Sequence, residues 1–191
     1  MILQESIADA FLLRLRERLA EWKTGDPTDS SVHMGPVVSG PAAGQIRAGI
    51  AASVAQGAVV TFEGDVAGLG DAFVAPTVLE LPTGENNAWR EEFFGPVLAV
   101  RRVATTEQAF ELANDSEYGL SCALFTRDLS KALAAMEKID VGILHVNSES
   151  AGADPHVPFG GAKKSGYGPK EQGGAAKEFF THTTTVYLRG A

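Results

Sequence analysis

Two acidic and two aromatic side chains stand together near the middle of the chain, in the order Glu91-Glu92-Phe93-Phe94. A Gly-Pro breaker follows at positions 95 and 96, and the apolar run at 97–100 predicts a strand directly after it. The acidic residues, the aromatic residues and the turn therefore lie directly before a predicted strand, and α/β proteins bind ligands at strand ends. The same residues also fit a helix end with a solvated acid pair and two core phenylalanines.

A second dense cluster occupies residues 156–166, which read His-Val-Pro-Phe-Gly-Gly-Ala-Lys-Lys-Ser-Gly. Gly160 and Gly161 predict a tight backbone path there, because glycine lacks the Cβ atom that would obstruct it. Gly166 and Gly168 have the spacing of a dinucleotide fingerprint, but position 171 is Glu and the required preceding strand is missing. We therefore reject that fingerprint for this segment.

Composition excludes several classes of partner. The chain has 191 residues, of which 45% are hydrophobic, and this is enough for one sizeable core. A formal net charge of −8 disfavours nucleic acid and anionic membranes as partners. No apolar run is long enough to span a bilayer, and the opening Met-Ile-Leu is too short for a signal peptide.

The cysteine and histidine residues offer no obvious catalytic or metal site. Cys122 is the only cysteine, so an internal disulfide framework is excluded and a reducing cytoplasm is the simplest location. It lies in an apolar run without an adjacent histidine or basic residue to favour a thiolate, so we expect a buried structural cysteine. The histidines lack metal-ligand spacing, and no zinc site is expected from His33, His145, His156 and His182.

Four helices are predicted from apolar periodicity and capping residues, over residues 6–22, 41–56, 105–114 and 130–139. Ser6 is the expected cap of the first, and its inward stripe is predicted to be Ile7, Phe11, Leu15, Leu19 and Trp22. In the last of the four, Leu133 and Met136 are expected to face inward.

Strands are predicted between these helices, over residues 1–4, 58–62, 73–79, 97–100, 118–126, 143–147 and 181–188. Pro76 lies inside the third of these, which predicts an edge strand or a bulge. The alternation of helices and strands favours a layered α/β fold. The final strand, rich in Thr, Val and Tyr, fits either its own domain or an exposed position.

Several sequence motifs, in the same order along the chain, resemble those of the NAD(P)-dependent aldehyde dehydrogenase superfamily. The stretch at 91–97 is similar to its EE-x-FGPV segment, and 156–166 is similar to its PFGG-x-K-x-SG signature. Four less specific motifs lie before and between these two, in the order that the family has them. They are GDP…MGP at 25–36, F-x-x-PTV at 73–78, YGL-x-x-x-VFT at 118–126 and G-x-x-x-VN at 142–147. Together they cover nearly the whole chain.

The resemblance implies a fold, a cofactor and three site residues. It implies a partial aldehyde dehydrogenase catalytic domain over residues 1–180 and an oligomerisation strand and tail over 181–191, which would complete a sheet with a neighbouring subunit. With NAD or NADP as cofactor, Glu92 would accept hydrogen bonds from the nicotinamide ribose and Phe94 would pack at the nicotinamide. Phe159 would face the aldehyde tunnel.

The resemblance also implies what this chain lacks. The family's nucleophilic Cys, oxyanion-hole Asn, Glu base and dinucleotide-binding domain all match positions upstream of Met1, so we expect the isolated chain to be inactive and to supply no catalytic residue. The alternative is a non-catalytic binding or assembly module of the same fold. Residues 156–161 and 168–173 look most like the α-ketoglutaric semialdehyde branch, in which residues 148–155, with Glu149 and Asp154, would set specificity.

Overall fold

Helices alternate with strands in the computed structural model, which describes residues 1–82, 84–152 and 154–190. This alternation confirms the predicted α/β class. The chain divides into two units, residues 1–105 and residues 106–191, and each is described separately below. None of the described helices is long and apolar enough to cross a membrane.

The first unit is built on a four-stranded sheet. Its elements in chain order are β1 (Ile2–Gln4), α1 (Glu5–Ala20), α2 (Gly40–Ala55), β2 (Val59–Glu63), β3 (Thr77–Glu80), α3 (Asn87–Arg90) and β4 (Val97–Val103). The strand order is β1-β4-β3-β2, with β4 parallel to both β1 and β3, and with β2 antiparallel to β3. The β3–β4 pair therefore lies inside the sheet.

The starts of the two long helices differ in how they are capped. The prediction that Ser6 caps α1 was wrong. The strand β1 pairs with β4 up to Gln4, and the helix begins at the next residue. Ser39 caps α2, where its Oγ accepts a hydrogen bond from the Ala42 amide at 3.2 Å. Gly57 ends that helix with φ of +95°, as its type predicted.

The predicted inward face of α1 is confirmed only in part. Leu15 and Leu19 pack, partly buried, against the core, whereas the predicted Ile7, Phe11 and Trp22 are exposed. The fully buried residues of the helix are Ala8 and Leu12. Ala8 has a small side chain, which lets the helix approach Val78 and Val100 of the sheet closely, and this contact selects the buried face. The periodicity gave the helix but not its rotation about the axis.

The sheet is covered on both faces. Val78 and Val100 pack with α1, while the next residue in β3, Leu79, belongs to a second cluster with Ala58 and Leu81. Ile50 of α2 packs on that second cluster. Because successive strand residues point to opposite faces, the sheet lies between α1 and α2 as a middle layer.

The proline prediction for β3 needs correction. Pro76 immediately precedes the strand instead of lying in it, since β3 begins at Thr77. The strand is internal, not an edge, and a proline before its first residue removes no ladder hydrogen bond. The bulge lies in the neighbouring strand β2, where the register shifts between Val60 and Phe62.

The second unit contains shorter elements. They are α4 (Thr106–Asn114), β5 (Tyr118–Gly119), β6 (Ser121–Leu124), α5 (Leu129–Lys138), β7 (Ile143–Val146), β8 (Ala162–Lys163), a 3-10 helix (Gly173–Ala175) and α6 (Ala176–Phe179). The pair β5–β8 is antiparallel and the pair β6–β7 is parallel. The single strand predicted over 118–126 is therefore two strands in two sheets, because its two halves pair with different partners.

The expectation that Leu133 and Met136 face inward was wrong. Their side chains are 54% and 68% exposed, and Ala135 is the buried residue of α5. The helix begins at Leu129 because Asp128 Oδ1 accepts hydrogen bonds from the amides of Ser130 and Lys131.

The terminal segment forms no strand with its own chain. Among the residues that the structure describes, positions 181–190 carry no helix or strand, and the side chains of Val186, Tyr187 and Leu188 are exposed. The alternative of a final strand within its own domain is not what the structure shows. Pairing with a neighbouring subunit stays a prediction.

Candidate functional site

The acid–aromatic stretch is the loop between α3 and β4. It begins where Glu91 donates its amide to the Asn87 carbonyl oxygen at 2.8 Å. It ends at Pro96, whose carbonyl oxygen accepts a hydrogen bond from the Thr77 amide at 2.8 Å. Since β3 and β4 are parallel and the loop precedes β4, it lies at the amino end of both strands. The general preference of α/β sheets for binding ligands at the carboxyl ends of their strands therefore gives no support to a ligand site at this loop.

The two aromatic side chains of the stretch have opposite environments. Phe93 is half-buried and its ring lies against Gly49 of α2, where a Cβ atom would come within 2.7 Å of Phe93 Cζ. Phe94 is 80% exposed. The alternative prediction of two core phenylalanines is therefore wrong for Phe94. A large aromatic ring presented to solvent on a fixed loop is available to a flat ligand.

The carboxylate of Glu92 is exposed, as is that of Glu91. Within the described ranges, neither carboxylate receives a hydrogen bond or forms an ion pair. The nearby cation Arg90 instead pairs with Glu85, with 3.3 Å between Nη2 and Oε1. Glu92 thus keeps its full acceptor capacity for a ligand with hydroxyl groups.

Sequence reasoning missed the residues that hold this loop. Asn87 Nδ2 donates to the Gly49 carbonyl oxygen at 3.2 Å, and Asn87 Oδ1 lies 2.5 Å from Ser53 Oγ. Asn86 is fully buried: its Nδ2 donates to the Ser53 carbonyl oxygen at 2.9 Å, and its Oδ1 caps α3 by accepting from the Ala88 amide. An Asn pair before a short helix is a capping signal in the sequence, but its long-range partners are not.

The glycine-rich segment of the second unit follows the tight path that its sequence predicted. A Cβ atom on Gly161 would lie 2.3 Å from the Ser165 carbonyl oxygen, so no larger residue fits without moving the backbone. Phe159 is joined to Glu171 by two backbone hydrogen bonds, of 2.7 and 3.0 Å. The half-buried Phe159 ring lines a pocket of about 220 Å³ together with Tyr167, Lys170 and Phe179.

The acids proposed to flank the substrate differ in their contacts. Asp154 Oδ1 accepts the His156 amide at 2.9 Å and lies 2.8 Å from His156 Nδ1. The backbone hydrogen bond from His156, followed by the contact with its ring, lowers the pKa of Asp154. Glu149 is exposed, and Ala153 lies outside the described residues. Asp154 thus has a hydrogen-bonding partner, but because these contacts lower its pKa its carboxylate keeps the negative charge that would repel a nearby anionic substrate.

The thiol of Cys122 lies half-buried in β6, opposite Leu144 of β7. Burial raises the pKa of the Cys122 thiol, which disfavours the thiolate needed by a nucleophile. In the part of the chain that the structure describes, the Cys122 thiol makes no hydrogen bond or ion pair, and no group of three His, Cys, Asp or Glu could hold a metal ion.

Comparison with known proteins gives one consistent family. The model of the aldehyde dehydrogenase family matches residues 1–186. A vanillin dehydrogenase of Pseudomonas fluorescens is 38% identical over 189 residues, which are 99% of this chain and 38% of that protein. An alpha-ketoglutaric semialdehyde dehydrogenase of Bacillus subtilis is 34% identical over 193 residues, covering 99% of this chain and 40% of its own length.

A solved structure gives the same fold. Succinic semialdehyde dehydrogenase from Streptococcus pyogenes, in complex with NADP+, superposes with a TM-score of 0.88 at 31% identity, over 99% of this chain and 41% of that one. The chain therefore spans about two fifths of the length of the proteins it matches.

The buried setting of Cys122 makes a testable prediction about its reactivity. Alkylation by iodoacetamide requires the thiolate, so in the folded chain the rate should reach half of its maximum at a higher pH than in urea. The unfolded chain is the control, since its thiol should titrate near the ordinary value of about 8.5. An equal or lower midpoint in the folded chain would contradict the assignment of Cys122 as a structural residue.

Proposed function

The chain belongs to the aldehyde dehydrogenase family, and we propose that it is part of an NAD(P)-dependent enzyme that oxidises an aldehyde to a carboxylic acid. The observation that carries this proposal is the outward presentation of Glu92 and Phe94 on one fixed loop. An acceptor with no protein partner and an exposed aromatic ring together fit the ribose and nicotinamide end of that cofactor.

Each side chain has a role that follows from its chemistry. The Glu92 carboxylate would accept hydrogen bonds from the ribose hydroxyl groups, and such charge-assisted bonds are stronger than neutral ones. The Phe94 ring would pack at the nicotinamide and limit its orientations, which matters because the cofactor supplies the hydride acceptor. In the second unit, Phe159 would form an apolar wall for the aldehyde.

The isolated chain is proposed to be inactive. Oxidation of an aldehyde through a covalent intermediate needs an activated nucleophile and donors for the developing oxyanion. Cys122 does not meet the first requirement, because burial raises the pKa of its thiol. We assign residues 1–180 to a partial catalytic domain and residues 181–191 to an oligomerisation strand and tail. A non-catalytic assembly module remains the alternative.

An acidic semialdehyde is the proposed substrate. Support comes from the similarity of residues 156–161 and 168–173 to the α-ketoglutaric semialdehyde branch, and from the match to the Bacillus subtilis enzyme of that name.

The central experiment compares the 191-residue chain with the same chain extended upstream in its own reading frame. NADH or NADPH formation from an aldehyde, followed by absorbance, is expected only in the extended protein. An upstream frame that encodes no counterpart of the family's nucleophilic Cys, or an inactive extended protein, would support the assembly module instead. Turnover by the 191-residue chain that Cys122→Ala abolishes would overturn both the fragment proposal and the role of the cysteine.

The role of Glu92 is tested in the extended protein with a matched control one residue away. Glu92→Gln should raise the cofactor KM about tenfold, because a neutral amide loses about 1.5 kcal/mol of charge-assisted hydrogen bonding. Glu91→Gln removes the same charge from the neighbouring exposed position and should leave the cofactor KM unchanged. Equal kinetics for the two variants would refute the assignment.

A substrate panel tests the aldehyde. The extended enzyme should show a higher kcat/KM for α-ketoglutaric and succinic semialdehydes than for vanillin or long apolar aldehydes. Asp154→Asn should change this ranking less than Phe159→Ala, because Asp154 is paired with His156 whereas Phe159 lines the pocket. A clear preference for long apolar aldehydes would exclude the acidic substrate class.

The terminal segment is tested by truncation. Its apolar side chains are exposed, and an extended segment must satisfy its backbone groups with water or with a partner. Deleting residues 181–191 should lower the oligomeric mass measured by light scattering in the extended protein. The triple variant Val186→Ser, Tyr187→Ser, Leu188→Ser keeps the backbone and should weaken assembly less. The same mass with and without the segment would refute this interface.

A further inference from the structure

Gly49 is one of two glycines in the interior of the long helix α2. Glycine destabilises a helix interior relative to alanine, and at Gly49 the structure shows what its missing side chain allows. On the Phe93 side, a Cβ atom would lie 2.7 Å from Cζ and 3.0 Å from Cε1 of that ring. By contrast, a Cβ atom on Gly44 of the same helix would meet nothing within 4 Å.

The peptide unit of Gly49 makes a second contact with the same loop. Its carbonyl oxygen accepts a hydrogen bond from Asn87 Nδ2 and lies 2.9 Å from Ser53 Oγ. Asn87 in turn accepts the Glu91 amide through its own carbonyl oxygen, at the residue where the acid–aromatic stretch begins. The loop is therefore attached to one glycine of α2 at two points, the Asn87 amide and the Phe93 ring.

These two points determine which side chains face outward. Phe93 is half-buried with its ring against Gly49, and the loop turns directly after it, where the Gly95 amide donates to the Phe93 carbonyl oxygen at 2.6 Å. The side chains on either side of this held ring, Glu92 and Phe94, are exposed. A shift of Phe93 would rotate both of them together.

We propose that Gly49, Ser53 and Asn87 form a seat that positions Glu92 and Phe94 for the cofactor without touching it. The inference rests on the proposed function for its kinetic consequence, although the seat itself is a property of the fold. Adding one methyl group at Gly49 displaces the Phe93 ring, and with it the carboxylate and ring that bind the cofactor. The three seat residues are thus positioning residues.

The test uses the longest natural reading frame that contains this chain and compares Gly49→Ala with Gly44→Ala. Both changes add the same methyl group to α2 and favour the helix. Gly49→Ala should raise the cofactor Kd and KM about tenfold, the loss of roughly one charge-assisted hydrogen bond. The aldehyde KM should stay unchanged, and Gly44→Ala should match the wild type in all three constants.

Two further variants separate positioning from simple destabilisation. Asn87→Ala removes the hydrogen bond to Gly49 while leaving Ser53 Oγ its acceptor at 2.9 Å, so folding should be preserved and the cofactor Kd should rise. Phe93→Leu in the Gly49→Ala protein replaces the ring by a smaller side chain and so leaves room for the added Cβ atom. The double variant should bind the cofactor more tightly than the sum of the single effects predicts.

Hydrogen exchange makes the result independent of turnover. The amides of Glu91 and Gly95, which donate within the loop, should exchange faster in Gly49→Ala and Asn87→Ala than in Gly44→Ala at equal global stability. Equal exchange in all three proteins would overturn the seat, as would unchanged cofactor affinity in an active enzyme. A different outcome is a wild-type protein that keeps these amides protected and yet neither binds NAD(P) nor oxidises aldehydes. That result would overturn the proposed function but not the seat.

Discussion

The parallel pairing of β3 with β4 is the constraint on which the first unit depends. Thr77 to Glu80 lie beside Val97 to Val100, and Leu79 of β3 and Val100 of β4 are fully buried. Parallel strands are stable when both faces are covered, which here requires α1 on one side and α2 on the other. The pairing also places Pro96 beside Thr77, whose amide donates to the Pro96 carbonyl oxygen and so attaches the end of the acid–aromatic loop to the sheet.

The other end of that loop is held by polar groups that must be satisfied. Ser53 and Asn86 are buried, and an unpaired donor or acceptor in such a place costs about 1–3 kcal/mol. Their hydrogen bonds run between α2 and α3 and have one geometry, whereas apolar contacts alone would tolerate several. The loop is thus hydrogen-bonded at both ends although the side chains of Glu92 and Phe94 are exposed, an arrangement compatible with the preorganised site proposed above.

The second unit reaches a defined shape by a different route. Its sheets have only two strands each, and close backbone approaches replace a large apolar core. A Cβ atom on Gly142 would lie 1.9 Å from the Gly160 carbonyl oxygen, and Lys170 Nζ donates to the Gly142 carbonyl oxygen at 2.5 Å. These contacts place Phe159 at the pocket wall by fixing the backbone on either side of it.

The sequence by itself determined the order of the four longer helices and of the strands between them, the tight path at Gly160 and Gly161, and the family, because these depend on neighbouring residues and on ordered motifs. The tertiary structure decided which residues of α1 and α5 are buried, that residues 118–126 divide between two sheets, and that Phe93 faces inward while Phe94 faces outward. Asn87 and Gly49 are 38 positions apart, and a contact at that separation leaves no periodic pattern in the sequence. The face that an element buries is selected by the partner that it meets, and that partner is known only once the chain has folded.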